Sequence, residues 1–73
     1  MIRHIITESG NHMVGPSVTG VHQNATDARR HFEMIRRNYK NDGYTIADNG
    51  LDCFTVNKDE ETCTFALQAI QFD

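Results

Sequence analysis

The chain has 73 residues, seven basic and ten acidic side chains, 38% apolar content and no tryptophan. A chain of this size buries only about 60–65% of its unfolded surface. These totals describe one small, mildly acidic domain spanning 1–73, and they argue against multi-domain machines, dinucleotide-binding folds and disorder.

The first strand runs from Ile2 to about Glu8. Ser9-Gly10-Asn11-His12 can turn it back onto Met13-Val14, and Gly15-Pro16 would end such a strand quickly. Residues 9–23 hold three of the five glycines, the only proline and two of the four histidines. This stretch reads as irregular.

A helix follows over about 25–41. Ala28, Phe32, Ile35 and Tyr39 recur at helical spacing and form one narrow apolar stripe that must face a core. Asn24 caps the start, Asp27 complements the positive end of the helix dipole, and Gly43 supplies the left-handed stop. Asn24-Ala25-Thr26 also fits a glycosylation acceptor, but the helix start explains the same residues.

Asn49-Gly50 between alternating residues predicts a hairpin of Tyr44–Asp48 with Leu51–Val56. A two-residue loop sets Asp48 opposite Leu51 and Ile46 opposite Cys53, so that one face carries Tyr44, Ile46, Leu51 and Cys53. The last strand spans Thr62 to about Phe72. It places Cys63, Phe65 and Leu67 on one side, then changes phase to Ile70 and Phe72, which predicts a bulge near Gln68-Ala69. The expected fold is α+β: one helix on one face of a mainly antiparallel sheet of four or five short strands, in the order β, irregular segment, α, β, β, β. The opposite face would carry Phe54, Val56, Ala47 and Ala66, covered only by residues 9–23 or by a second copy.

Charge is unevenly placed. Residues 25–42 carry five basic against three acidic side chains, and the remainder two against seven. Arg29, Arg30, Arg36, Arg37 and Lys40 therefore form a candidate partner-binding face. The alternative is a solvated helix face, in which Glu33 pairs with Arg29 and Arg37 at four-residue spacing.

His4, His12, His22 and His31 match no metal-ligand spacing, and no metal or cofactor is expected. Gly15–Gly20 lacks the lysine of a phosphate loop. Ser17 or Thr19 with His22 and Asp27 lacks the frame of a nucleophile, so no catalytic residue is assigned. Cys53 and Cys63 fall on neighbouring strands. A five-residue loop would set them opposite each other and permit a disulfide, whereas a three-residue loop would leave them diagonal.

No apolar run approaches a membrane span, and no signal-like segment opens the chain, which points to the cytoplasm. The expected function is a small, non-enzymatic binding module acting through protein–protein contact and self-associating through a face that includes Phe54 and Val56. One alternative is a nucleic-acid or acidic-partner binder using the basic helix face. A third is an inhibitor or accessory protein of a mobile genetic element.

Overall fold

The computed structural model describes residues 1–72. Its elements are β1 (Ile2–Gly10), β2 (Ser17–His22), α1 (Ala25–Asn41), β3 (Thr45–Asp48), β4 (Cys53–Lys58) and β5 (Glu61–Gln71). The five strands form one antiparallel sheet in the order β2-β1-β5-β4-β3, with α1 across one face. The result is a two-layer α+β slab of 41 × 25 × 18 Å.

The ends of α1 follow from local chemistry. The Asn24 side-chain oxygen accepts from the backbone N–H groups of Thr26 (2.7 Å) and Asp27 (3.2 Å), satisfying two otherwise unpaired donors. At the other end Gly43 takes φ 91°. Its N–H then reaches the Lys40 carbonyl, while the Tyr44 N–H reaches that of Tyr39, both at 3.1 Å. This paired closure brings the rings of Tyr39 and Tyr44 edge to face at 4.8 Å, so the stop also starts the core.

The core lies between α1 and the inner sheet face. Ile6, Phe32, Phe54, Val56, Cys63 and Phe65 are buried together, with Ile35, Tyr39, Tyr44, Ile46 and Leu67 packed against them. Phe54 stacks on Phe65 at 5.2 Å and meets Phe32 at 4.9 Å. Aromatic pairs of this kind bury large apolar areas and add directional contact.

The strand register differs from the expected one in four respects. Asp48 stands opposite Phe54 and Ile46 opposite Val56, so β4 is displaced by three residues relative to a two-residue Asn-Gly loop. An odd displacement reverses the faces of a strand. Phe54 and Val56 consequently point at the helix, exposed by 1% and 0%, and are not on the open face assigned to them from sequence. Burying a phenylalanine and a valine in place of Leu51 and Cys53 removes more apolar surface from water, and this outweighs the turn preference.

The second difference is in the β4–β5 turn. Lys58 pairs with Glu61 across Asp59-Glu60, with Asp59 at φ 56°. Cys53 therefore stands opposite Ala66, and Cys63 opposite Val56. The two thiols occupy opposite faces of the sheet and both are free.

Third, the fifth strand is Ser17–His22, not Met13-Val14, which lie in the preceding turn. Residues 17–22 lengthen the sheet at its edge and do not cover its outer face. Fourth, β5 pairs with β1 without interruption from Cys63 to Gln71, so no bulge occurs at Gln68-Ala69. The irregularity is in β2, where Thr19 is the extra residue between Gly20, opposite Ile6, and Val18, opposite Thr7. The phase change in β5 has a different cause: Ile70 and Phe72 belong to the outer face.

Candidate interaction surfaces

The outer sheet face follows from the register. Arg3, Ile5, Thr7 and Ser9 of β1 lie there beside Val18 and Val21 of β2. Thr62, Thr64, Ala66, Gln68 and Ile70 of β5 continue it, then Cys53, Thr55 and Asn57 of β4, and Thr45 and Ala47 of β3. Met1 and Phe72 exchange backbone hydrogen bonds of 2.7 and 3.0 Å that extend the β1–β5 ladder, which puts Phe72 on the same side as Ile70. Among the described residues, Arg3 is the only charged side chain that the register places on this face.

The face has two halves. Toward β3 it is a threonine field in which the Thr55 and Thr64 hydroxyls share a 3.1 Å hydrogen bond. Toward β2 it is apolar, with Val18, Val21, Ile70 and Phe72 gathered around Ile5, which is itself buried. Val18 and Val21 are 59% and 56% exposed.

The helix side bears the charge. Arg36 donates to both carboxylate oxygens of Asp48, from Nε at 2.9 Å and Nη2 at 2.8 Å. This fork holds the Arg36 guanidinium pKa above its ordinary value and the Asp48 carboxyl below its own, the hydrogen bonds being the main cause in each case. Arg29 donates to the Leu51 carbonyl at 2.6 Å and to the Asp52 carboxylate, and lies 3.8 Å from Glu33. Asn49 closes the loop through its N–H to the Cys53 carbonyl at 2.9 Å and its side-chain amide to Thr55 at 3.0 Å.

Two of the five basic residues singled out from sequence thus lash the helix to the β3–β4 loop. Arg30 faces solvent 3.9 Å from Asp27, and Arg37 and Lys40 are exposed. The lashed loop carries Leu51 at its tip, 88% exposed. Beside it, a shallow cleft of about 310 Å³ is lined by Phe32, Glu33, Arg36, Asp48, Leu51 and Phe54, among others. Its charged rim is already paired with itself.

At the other flank of the helix, His22 Nε2 lies 2.9 Å from His31 Nδ1. This contact is not legible in the sequence, because it depends on β2, whose glycines and proline give it an irregular pattern. His22 therefore faces another imidazole, and the grouping of Ser17, Thr19, His22 and Asp27 is not assembled; Thr19 instead reaches Glu8 at 3.5 Å. His12 is exposed in the 11–16 turn. Among the described residues no cluster of three or more His, Cys, Asp or Glu is placed to hold a metal ion.

On the core side, burial pushes the Cys63 thiol pKa up, helped by the charges of Glu8 and Glu61. Tyr44 donates to Glu61 at 3.2 Å, and desolvation followed by this bond raises its pKa. Neither group meets a partner suited to activating it.

No protein-family model, curated protein or solved structure matches this chain. Among the described residues no helix is long and apolar enough to cross a membrane.

Proposed function

We propose that this chain is a small, non-enzymatic cytoplasmic binding module that acts through protein–protein contact and self-associates through the open face of its sheet. The observation that carries this reading is the makeup of that face: five strands wide, apolar over the β2 half with Val18, Val21 and Phe72 exposed, and carrying Arg3 as its one charged side chain among the described residues. Depletion of charge at the centre of a surface patch is a compositional mark of interfaces.

A second copy is the partner this face suits. The chain carries net charge −3, yet among the described residues the acidic side chains lie on the helix side and in turns, so two outer faces can meet with little like-charge repulsion. Five strands about 4.8 Å apart and about 24 Å long give a projected area of roughly 600 Å². Each partner of a standard interface contributes roughly 800 Å², so the face has the scale of a modest dimer. A second layer would also relieve the shortage of core in so short a chain.

Light scattering on the size-exclusion eluate tests the reading. The wild type should run with the mass of a dimer, and Val21→Lys combined with Phe72→Asp should give a monomer of unchanged circular dichroism. A wild type that stays monomeric at high concentration, with Val18 and Val21 water-exposed by NMR, would overturn it.

An anionic partner, nucleic acid included, is the second reading. It would rest on Arg30, Arg37 and Lys40, since Arg29 and Arg36 are engaged within the chain. Salt-sensitive binding of DNA or RNA that disappears on reversing those three residues to Glu would favour it.

A further inference from the structure

β2 is an edge strand. It is bonded to the sheet only along β1, and the ladder is interrupted at Thr19. On the helix side it is held by an imidazole pair, His22 Nε2 and His31 Nδ1 at 2.9 Å, with the rings edge to face and their centroids 5.1 Å apart. Gly20 makes room for this approach. A β-carbon at that position would lie 2.8 Å from both Cε1 and Nδ1 of His31 and 3.5 Å from His22 Nε2.

A hydrogen bond between two imidazole nitrogens requires one N–H and one bare lone pair. Two neutral rings satisfy it, and so do one neutral and one charged ring. Two charged rings set N–H against N–H at a distance where nothing accepts. Acidification favours charged imidazoles, and the contact fails only once both rings are charged.

The groups facing the pair carry both signs, and the carboxylates of Glu8 and Asp27 oppose the release that the imidazoles favour. On β1, His4 stands directly opposite His22, a third imidazole beside the pair. Glu8, further along the same face of β1, is bonded to Thr19 of β2. On α1, Asp27 lies one turn before His31 and pairs with Arg30. Beyond His4, Arg29 and Asp52 are paired with each other.

We propose that the His22–His31 contact is an acid-released latch that fastens edge strand β2 to α1. The open form, in which the rings separate, binds more protons than the closed form, so opening is favoured as pH falls. Release frees the strand that carries Val18 and Val21. The proposal concerns β2 itself and holds whether or not the outer face self-associates.

The test is hydrogen exchange of backbone amides, corrected for intrinsic rates, from pH 7.5 to 5.0 on dilute protein. Imidazole nitrogen shifts are followed in parallel. The opening constant of Val18–His22 should rise about tenfold or more across this range relative to the amides of β4, a tenfold change corresponding to one extra proton held by the open form over one pH unit. The double variant His22→Gln with His31→Asn keeps a neutral donor and acceptor without a titrating ring, and should show no such rise. Equal pH dependence in the two proteins, or β2 and β4 opening in step, overturns the proposal. Should the double variant fail to fold, the wild-type rings decide: two coupled steps support the latch, and two independent single-step curves overturn it.

Discussion

Arg36 and Asp48 are joined by two parallel hydrogen bonds, 2.9 and 2.8 Å, that tie the middle of the helix to the last residue of β3. Arg29 makes the corresponding grip one loop further on, so the helix holds the β3–β4 connection at both ends.

The Asp48 carboxyl titrates below its ordinary value of 3.8 because Arg36 favours its charged form. A carboxyl depressed in the folded state contributes stability above its unfolded pKa and loses it as pH falls through the folded one. Asp48→Asn should therefore lower the Tm by a few degrees near neutrality, the modest effect of an exposed pair. The difference between variant and wild type should close on acidification toward pH 2.5. Thermal melts across that range provide the check, and a constant difference would contradict the assignment.

Phe54 is the clearest test of the register. Phe54→Ala should destabilise by about 3–5 kcal/mol, as large aromatic truncations in cores do. Stability near 0.05–0.15 kcal/mol per residue leaves a chain of this size little beyond that, so the variant should be largely unfolded. Thr55→Ala, one position along and on the opposite face, should change stability by less than about 1 kcal/mol. Urea titrations of the pair distinguish the two registers, since that of a two-residue Asn-Gly loop would reverse the order.

The glycines should rank by what a β-carbon would strike. Gly10→Ala meets the Thr62 carbonyl at 2.7 Å, a backbone group that cannot step aside. Gly20→Ala meets only the His31 ring, which can rotate at the expense of its bond to His22. Gly15→Ala meets nothing within 4 Å. We expect losses of about 2–3, about 1–2 and about 0 kcal/mol in that order. A Gly20→Ala variant as stable as wild type would remove the steric role assigned to that residue.

Cys53 and Cys63 should react in sequence. Cys63 is buried and its thiol pKa is raised, so little thiolate forms and reagent cannot reach it. Cys53 is half-exposed on the outer face. Mass spectrometry after brief iodoacetamide treatment of dilute protein should find a single adduct at Cys53, and oxidation should give no intrachain disulfide. A Cys53–Cys63 bridge in the folded monomer would refute the β4–β5 register.

Much of the helix side was legible residue by residue. Ala28, Phe32, Ile35 and Tyr39 define the buried stripe without outside help, because helical periodicity is local. Asn24 and Gly43 set the ends for the same reason. Cys63, Phe65 and Leu67 were placed together correctly by simple alternation. The outer face was not legible, since it depended on β4 and β2. The Asn-Gly pair invited a two-residue loop, but that loop would have left Phe54 and Val56 in water. Gly15, Pro16 and Gly20 made β2 look irregular, although it pairs through β1 and requires Gly20 only because His31 lies above it.

The sequence by itself determined the helix, its capped ends, the antiparallel meander and the α+β class, all properties of periods and turns within a few residues. The tertiary structure decided which face of β4 is buried, which arginines are engaged, that two histidines meet, and that the outer sheet face is apolar at β2 rather than at Phe54. Those outcomes turn on a three-residue difference in register, and register is settled by competition between whole faces for burial, which no single turn can report.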